Sequence, residues 1–255
     1  MPNSFGETLQ ALGVPMFSEP DDAPTAASGQ DGSADPGPPG PVGSPAASAP
    51  SDPCEFTFIG GAGVGGDYLD ALKQSFERGG IAHVHVPNHP AAFPWEVAGD
   101  AISIPHVNDL SFAKGLVDTP EARAAAQHSL SLGDEQYNLG GYSYGAAAAA
   151  ANAYAVAQNG GKVDNLVLLG APINQDLYDA VTHNPRIKNV VNLDLGAYGD
   201  PIHAGMTDGE ILRAAPKLAG QWASGQGHFR YSGDGPVFDQ RRDELTQQLL
   251  DRGLR

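Results

Sequence analysis

The chain has 255 residues, enough for one ordinary domain, and a formal net charge of −16 from 14 basic and 30 acidic side chains. That balance excludes nucleic acid as a partner, because phosphate backbones are held by basic patches, and it argues against electrostatic docking on anionic lipid. The single cysteine, Cys54, excludes an internal disulfide, so the fold has to stand on its own core as cytosolic proteins do.

Residues 1–19 form a short leader of unknown role, with Phe5, Leu9, Leu12, Val14, Met16 and Phe17 as its apolar content. Residues 20–53 are rich in Pro, Gly, Ala and Ser and cannot bury enough apolar surface to offset their ordering entropy, so a disordered linker is predicted. No Lys or Arg precedes Lys73, and no apolar run approaches the roughly 18 residues of a membrane span. The expectation is a protein without secretory signal or membrane insertion, cytoplasmic as synthesised.

From residue 54 to 255 the texture is that of a folded domain. Glu55–Gly60 reads as a strand entering a glycine turn, and Asp67–Arg78 as a helix. Ile81–Val86 alternates as a second strand. Thr119-Pro120 opens a helix as N-cap and first position. Gln136–Leu139 is a short strand and Ala146–Gln158 an alanine-rich helix. Asn165–Leu169 and Asn189–Leu195 are buried strands, and Asp239–Arg252 is a closing helix. Strands alternating with helices predict a mostly parallel sheet covered on both faces, an α/β three-layer sandwich.

The centre of interest is Gly141-Tyr142-Ser143-Tyr144-Gly145. A Gly-x-Ser-x-Gly pentapeptide between a strand and a helix places its serine on a sharp, strained turn, with the hydroxyl exposed at the sheet edge. Side chains at the two glycines would collide with the neighbouring strand and helix. A serine nucleophile needs a base, and the base needs an orienting acid. Asp200 lies in the loop after the Asn189–Leu195 strand, and His228 in a glycine-flanked loop before the last helix. Asp194 is the rival acid, within the strand pattern; His203 is the rival base, three residues from Asp200.

The turn Gly61-Ala-Gly63-Val-Gly65-Gly66 satisfies G-x-G-x-x-G after a strand and before a helix, so a dinucleotide site has to be weighed. That reading expects a carboxylate at the end of the second strand, where Val86-Pro-Asn-His-Pro90 offers none. The same backbone can instead form half of an oxyanion hole from Ala62 or Gly63, with the Tyr144 amide supplying the other half. No cofactor is then expected. His83 and His85 alternate on a strand without further ligands, so no metal site is expected either.

With these residues in view, the span from about Glu55 to Arg255 resembles the α/β-hydrolase lipases and esterases. Gly140-Gly-Tyr-Ser143-Tyr-Gly-Ala-Ala is similar to the elbow of cutinases, and Gly199-Asp200-Pro-Ile and His228-Phe-Arg-Tyr231 to their acid and base loops. The chain departs from cutinases in its single cysteine and its longer acid-to-base segment. Phe58-Ile-Gly-Gly-Ala-Gly63 also looks like the opening of bacterial lipase-type effectors exported without a signal peptide. That resemblance implies export by such a system, and a secretion-system or immunity partner.

The combined expectation is a serine hydrolase of carboxylic esters, of lipase or phospholipase kind, with Ser143, Asp200 and His228 as triad. An amidase, a thioesterase or a catalytically silent interaction module of the same fold are the alternatives. Tyr142, Phe93, Trp95 and Trp222 are the candidate substrate-binding residues. The last three fall in segments, His89–Val117 and Gly209–Trp222, that could cap the site.

Overall fold

The structure, a computed structural model, describes residues 54–61, 67–87, 107–222 and 224–255. The leader, the linker, Ala62, Gly63, Phe93 and Trp95 lie outside the described residues.

Five strands form one all-parallel sheet: β1 (Cys54–Ile59), β2 (Val84–His85), β3 (Gln136–Tyr142), β4 (Val163–Leu169) and β5 (Ile187–Leu193), in the spatial order β2-β1-β3-β4-β5. Among the described residues seven α-helices accompany it: α1 (Asp67–Gly79), α2 (Leu110–Leu116), α3 (Pro120–Ser131), α4 (Tyr144–Gln158), α5 (Gln175–Thr182), α6 (Asp208–Trp222) and α7 (Pro236–Asp251). Strand side chains alternate between faces, and here both faces are dry. Phe56, Phe58, Val167 and Leu169 join one buried cluster with α1 and α7. Ile59, Leu166 and Leu168 join another with α2, α3, α4 and α5. The result is the three-layer α/β sandwich that the sequence pattern predicts.

The helix α4 occupies the middle of the second layer, against β1, β3 and β4 and between α2, α3 and α5. Its run Ala146–Ala151 is buried at 0–3% exposure, because a side chain of one carbon lets the helix lie close on the sheet. Thr119 caps α3 as expected: its Oγ accepts the Ala122 amide at 3.2 Å, and Pro120 is the first helical residue.

Register across the sheet is fixed by polar groups as well as by the hydrophobic alternation. Asn138, Asn165 and Asn189 are aligned on β3, β4 and β5. The Asn165 amide nitrogen donates to Asn138 Oδ1 at 2.6 Å, and the Asn189 nitrogen to Asn165 Oδ1 at 2.9 Å. A slip of one residue would break this ladder and strand buried amides, so the carboxyl ends of the three strands stay level.

Two expectations need correction. The second strand spans only Val84–His85, not Ile81–Val86. The Ile81 amide bonds the Phe76 carbonyl and closes off α1, and His83 takes a positive φ of 47°, so the chain pairs with β1 only after that kink. The last strand ends at Leu193 rather than Leu195, which removes Asp194 from any sheet face. Asp194 is exposed, and its Oδ1 accepts the Gly196 amide in a turn.

Candidate active site

The carboxyl ends of β3, β4 and β5 bring three segments together at one edge of the sheet, the usual place for a site in a parallel α/β fold. Ser143 stands between β3 and α4 with φ 56° and ψ −125°, a conformation that costs a non-glycine residue on the order of 1–3 kcal/mol. The surroundings enforce it. Its amide donates to the Leu169 carbonyl at 2.9 Å, and its carbonyl accepts from Ala146 and Ala147 to start the helix. A Cβ at Gly141 would lie 2.2 Å from the Gly145 carbonyl oxygen, and one at Gly145 would lie 2.2 Å from the Ile59 carbonyl oxygen. The strand, the turn and the helix meet backbone to backbone, which only glycine permits. Ser143 is thus turned outward at the positive end of a helix whose first amide is that of Tyr144.

His228 lies in a short 3-10 turn, Gly227–Phe229, and is 3% exposed. Its Nε2 is 2.7 Å from Ser143 Oγ, and its Nδ1 is 2.7 Å from Asp200 Oδ2. A carboxylate only accepts, so the hydrogen sits on Nδ1, and Nε2 of the neutral ring accepts from the serine hydroxyl. Asp200, 7% exposed, follows β5 after a 3-10 turn at Gly196–Tyr198. Burial of a carboxylate is tolerable where its lone pairs are filled, and the second oxygen of Asp200 accepts the Ile202 amide at 2.8 Å. Serine, imidazole and carboxylate form one unbroken hydrogen-bonded line.

No family model, curated protein or solved structure matches this chain.

The rival residues are not at this place. His203 is exposed, with Nδ1 on the Ala204 carbonyl at 3.0 Å. Asp194 is engaged in its own turn. His83 and His85 are both exposed, and among the described residues no group of three potential ligands could hold a metal ion.

Tyr142 needs correction as a substrate contact. It is 2% exposed, in the cluster beneath α1 and α7, with its ring 5.5 Å from the His228 ring and 6.3 Å from that of Tyr231. Burial, and then the nearby Tyr68, Asp200 and Tyr231, push its phenol well above the ordinary value, so it stays neutral. It backs the imidazole and faces no solvent. Trp222, by contrast, is 48% exposed at the end of α6, with its ring 5.5 Å from Phe229, the neighbour of His228.

The described part of the glycine turn reaches the serine. A Cβ on Gly61 would lie 3.2 Å from Ser143 Cβ. The Gly61 amide already donates to the Tyr68 hydroxyl at 3.1 Å, so it is not an oxyanion donor in this arrangement; Ala62 and Gly63 follow outside the described residues.

Sequence reading missed how firmly the His228 loop is held. Arg242, 1% exposed, donates through Nη1 to the Tyr231 and Gly233 carbonyls and through Nη2 to Asp239. Arg241 Nη1 donates to the Gly225 and Arg230 carbonyls. The Arg230 guanidinium sits 3.7 Å over the Tyr198 ring and so ties the His228 loop to the Asp200 loop. An Arg-Arg pair one helical turn inside α7, after a glycine-rich loop, was the only sequence signal for this clamp.

Proposed function

We propose that this chain is a serine hydrolase of the α/β-hydrolase type that cleaves carboxylic esters, of lipid or other acyl kind, through an acyl-enzyme on Ser143. The observation that carries the reading is the line from Ser143 Oγ through His228 to Asp200, with 2.7 Å at both steps, on a strained strand-to-helix turn.

In this reading Ser143 Oγ attacks the substrate carbonyl carbon while its proton passes to His228 Nε2. Asp200 holds the resulting imidazolium through Nδ1–H. The Tyr144 amide, at the amino end of α4, and a donor from residues 62–63 face the developing oxyanion. Collapse breaks the bond to the leaving alcohol, which takes the proton from Nε2. Water then repeats the sequence on the acyl-serine, releasing the acid and restoring Ser143. The apolar, exposed Trp222 beside the His228 loop fits an acyl substrate better than a charged one. Residues 1–53 would serve delivery or a partner, in line with the resemblance to exported effectors.

The test is labelling by a fluorophosphonate together with a screen of esters and lipids, using wild type beside Ser143→Ala. Wild type labels at Ser143 and turns over esters faster than matched thioesters and amides. Ser143→Ala and His228→Ala each lose about 10⁴-fold or more while remaining folded. A folded wild type that takes no label would instead make the chain a silent module.

A further inference from the structure

The helix α6 separates the acid from the base in sequence, and one of its side chains rejoins them in space. Gln221, in its last turn, donates from Nε2 to the Gly199 carbonyl at 2.7 Å and accepts the His228 amide on Oε1 at 2.9 Å. One bond lands on the residue before Asp200, the other on the backbone of the imidazole's own residue. A primary amide is the side chain that suits this place, because it offers a donor and an acceptor side by side in one plane. The fit is close: a Cβ on Gly227 would fall 2.4 Å from the Gln221 amide atoms, and Gly227 has φ +55°. The glycine before His228 is what lets the amide in.

We propose that Gln221 is a positioning residue: it sets the separation of the Asp200 and His228 loops and so the reach of Nε2 to Ser143. This deepens the hydrolase reading and rests on it for its catalytic consequence. The structural basis is independent of that reading. The Asp200–His228 contact joins side chains, the Arg230–Tyr198 contact stacks a half-buried guanidinium on an exposed ring, and Gln221 couples the two loops through their backbones. It also makes the outer helix α6 part of the site. Ile211 and Ala214 are the helix's only buried residues, so its attachment at this end rests largely on the two Gln221 hydrogen bonds.

The experiment compares wild type, Gln221→Glu and Gln221→Leu in the full-length chain. Gln221→Glu keeps the acceptor for the His228 amide but sets a carboxylate oxygen against the Gly199 carbonyl; Gln221→Leu removes both bonds at similar volume. Four readouts are taken on each: the rate of fluorophosphonate labelling, the proton resonance of His228 Nδ1–H in its bond to Asp200, kcat and KM on an ester substrate, and the melting temperature. We expect labelling to slow by roughly 10- to 100-fold in both variants, since small misplacements of a reacting group cost that much. On an ester substrate the loss falls in kcat with KM little changed. The Nδ1–H resonance shifts or broadens, while the melting temperature moves little because α6 contributes little to the core.

Equal labelling rates and an unchanged resonance in both variants would overturn the inference. A wild type that does not label, yet shows the resonance and loses it in the variants, would leave the positioning role intact and sink the hydrolase reading. If Gln221→Leu fails to fold, Gln221→Glu alone decides.

Discussion

Ser143 trades backbone comfort for exposure of its hydroxyl. A φ of 56° with ψ of −125° is open to glycine and costly for any residue with a Cβ. Ser143→Gly is therefore expected to raise unfolding stability by about 1 kcal/mol while abolishing labelling, whereas Ser143→Ala keeps the strain and gains nothing. Denaturant unfolding of the two variants side by side measures the difference. Tyr142 makes the opposite case. Its place in the pentapeptide suggests a substrate contact, yet the ring is buried against His228 and Tyr231. Tyr142→Ala should cost about 3–5 kcal/mol in unfolding, as truncation of a large core aromatic does. A shift in acyl-chain preference without that loss would restore it to the substrate side.

At the scale of elements, Asp164 on β4 ties three strands at the amino end of the sheet. It accepts the Tyr137 amide of β3 at 2.9 Å and pairs with Lys188 of β5 and with Lys162. Burial pushes its carboxyl up, but the Lys188 and Tyr137 hydrogen bonds and the two lysine charges outweigh this and hold it below the usual carboxylate value. A carboxyl lowered in the folded state contributes stability that is present above its unfolded value and is lost as pH falls through the folded one. Thermal melts from neutral to acid pH should show wild type losing its advantage over Asp164→Asn across that acidic window, and no difference below it. The strands themselves were legible because periodicity marks a buried strand wherever its side chains are apolar, as in Asn165–Leu169. It failed at Ile81–Val86, where the alternation is right but a backbone bond from Ile81 to Phe76 and the kink at His83 consume half of the segment. Ser143, Asp200 and His228 could be singled out because a hydroxyl, a carboxylate and an imidazole that meet in one line restrict residue type, and a glycine-flanked strand-to-helix turn marks where the hydroxyl stands. The Gln221 and Arg242 clamps were far less legible, since they fall mainly on backbone groups, the Gly199 carbonyl and His228 amide for Gln221 and the Tyr231 and Gly233 carbonyls for Arg242, which put no constraint on the partners' identity.

Over the whole molecule, packing is uneven. Ser143 is mounted on α4, buried along nearly its full length, whereas the Asp200 loop leans on α6 and the small cluster of Ile202, Met206, Ile211 and Ala214, and the His228 loop is held by Gln221 of α6 and by Arg241 and Arg242 of α7. Local opening starts where few apolar groups are buried, so α6 and the Asp200 loop should loosen before the sandwich melts. In a temperature ramp, labelling of Ser143 should fall several degrees below the loss of far-ultraviolet circular dichroism and return on cooling. Coincident transitions would mean that α6 melts with the core. The alanine run of α4 has a consequence for how such a protein can change over generations. Almost any replacement in Ala146–Ala151 adds volume where the neighbouring atoms are backbone and close-packed side chains, so the mount of the serine has next to no neutral neighbours in sequence space. The exposed positions of α6, Leu212 and Trp222 among them, carry no such constraint. On the proposed hydrolase reading, new substrate preferences in descendants of this chain would be written on that outer helix, with the Ser143 turn passed on unaltered.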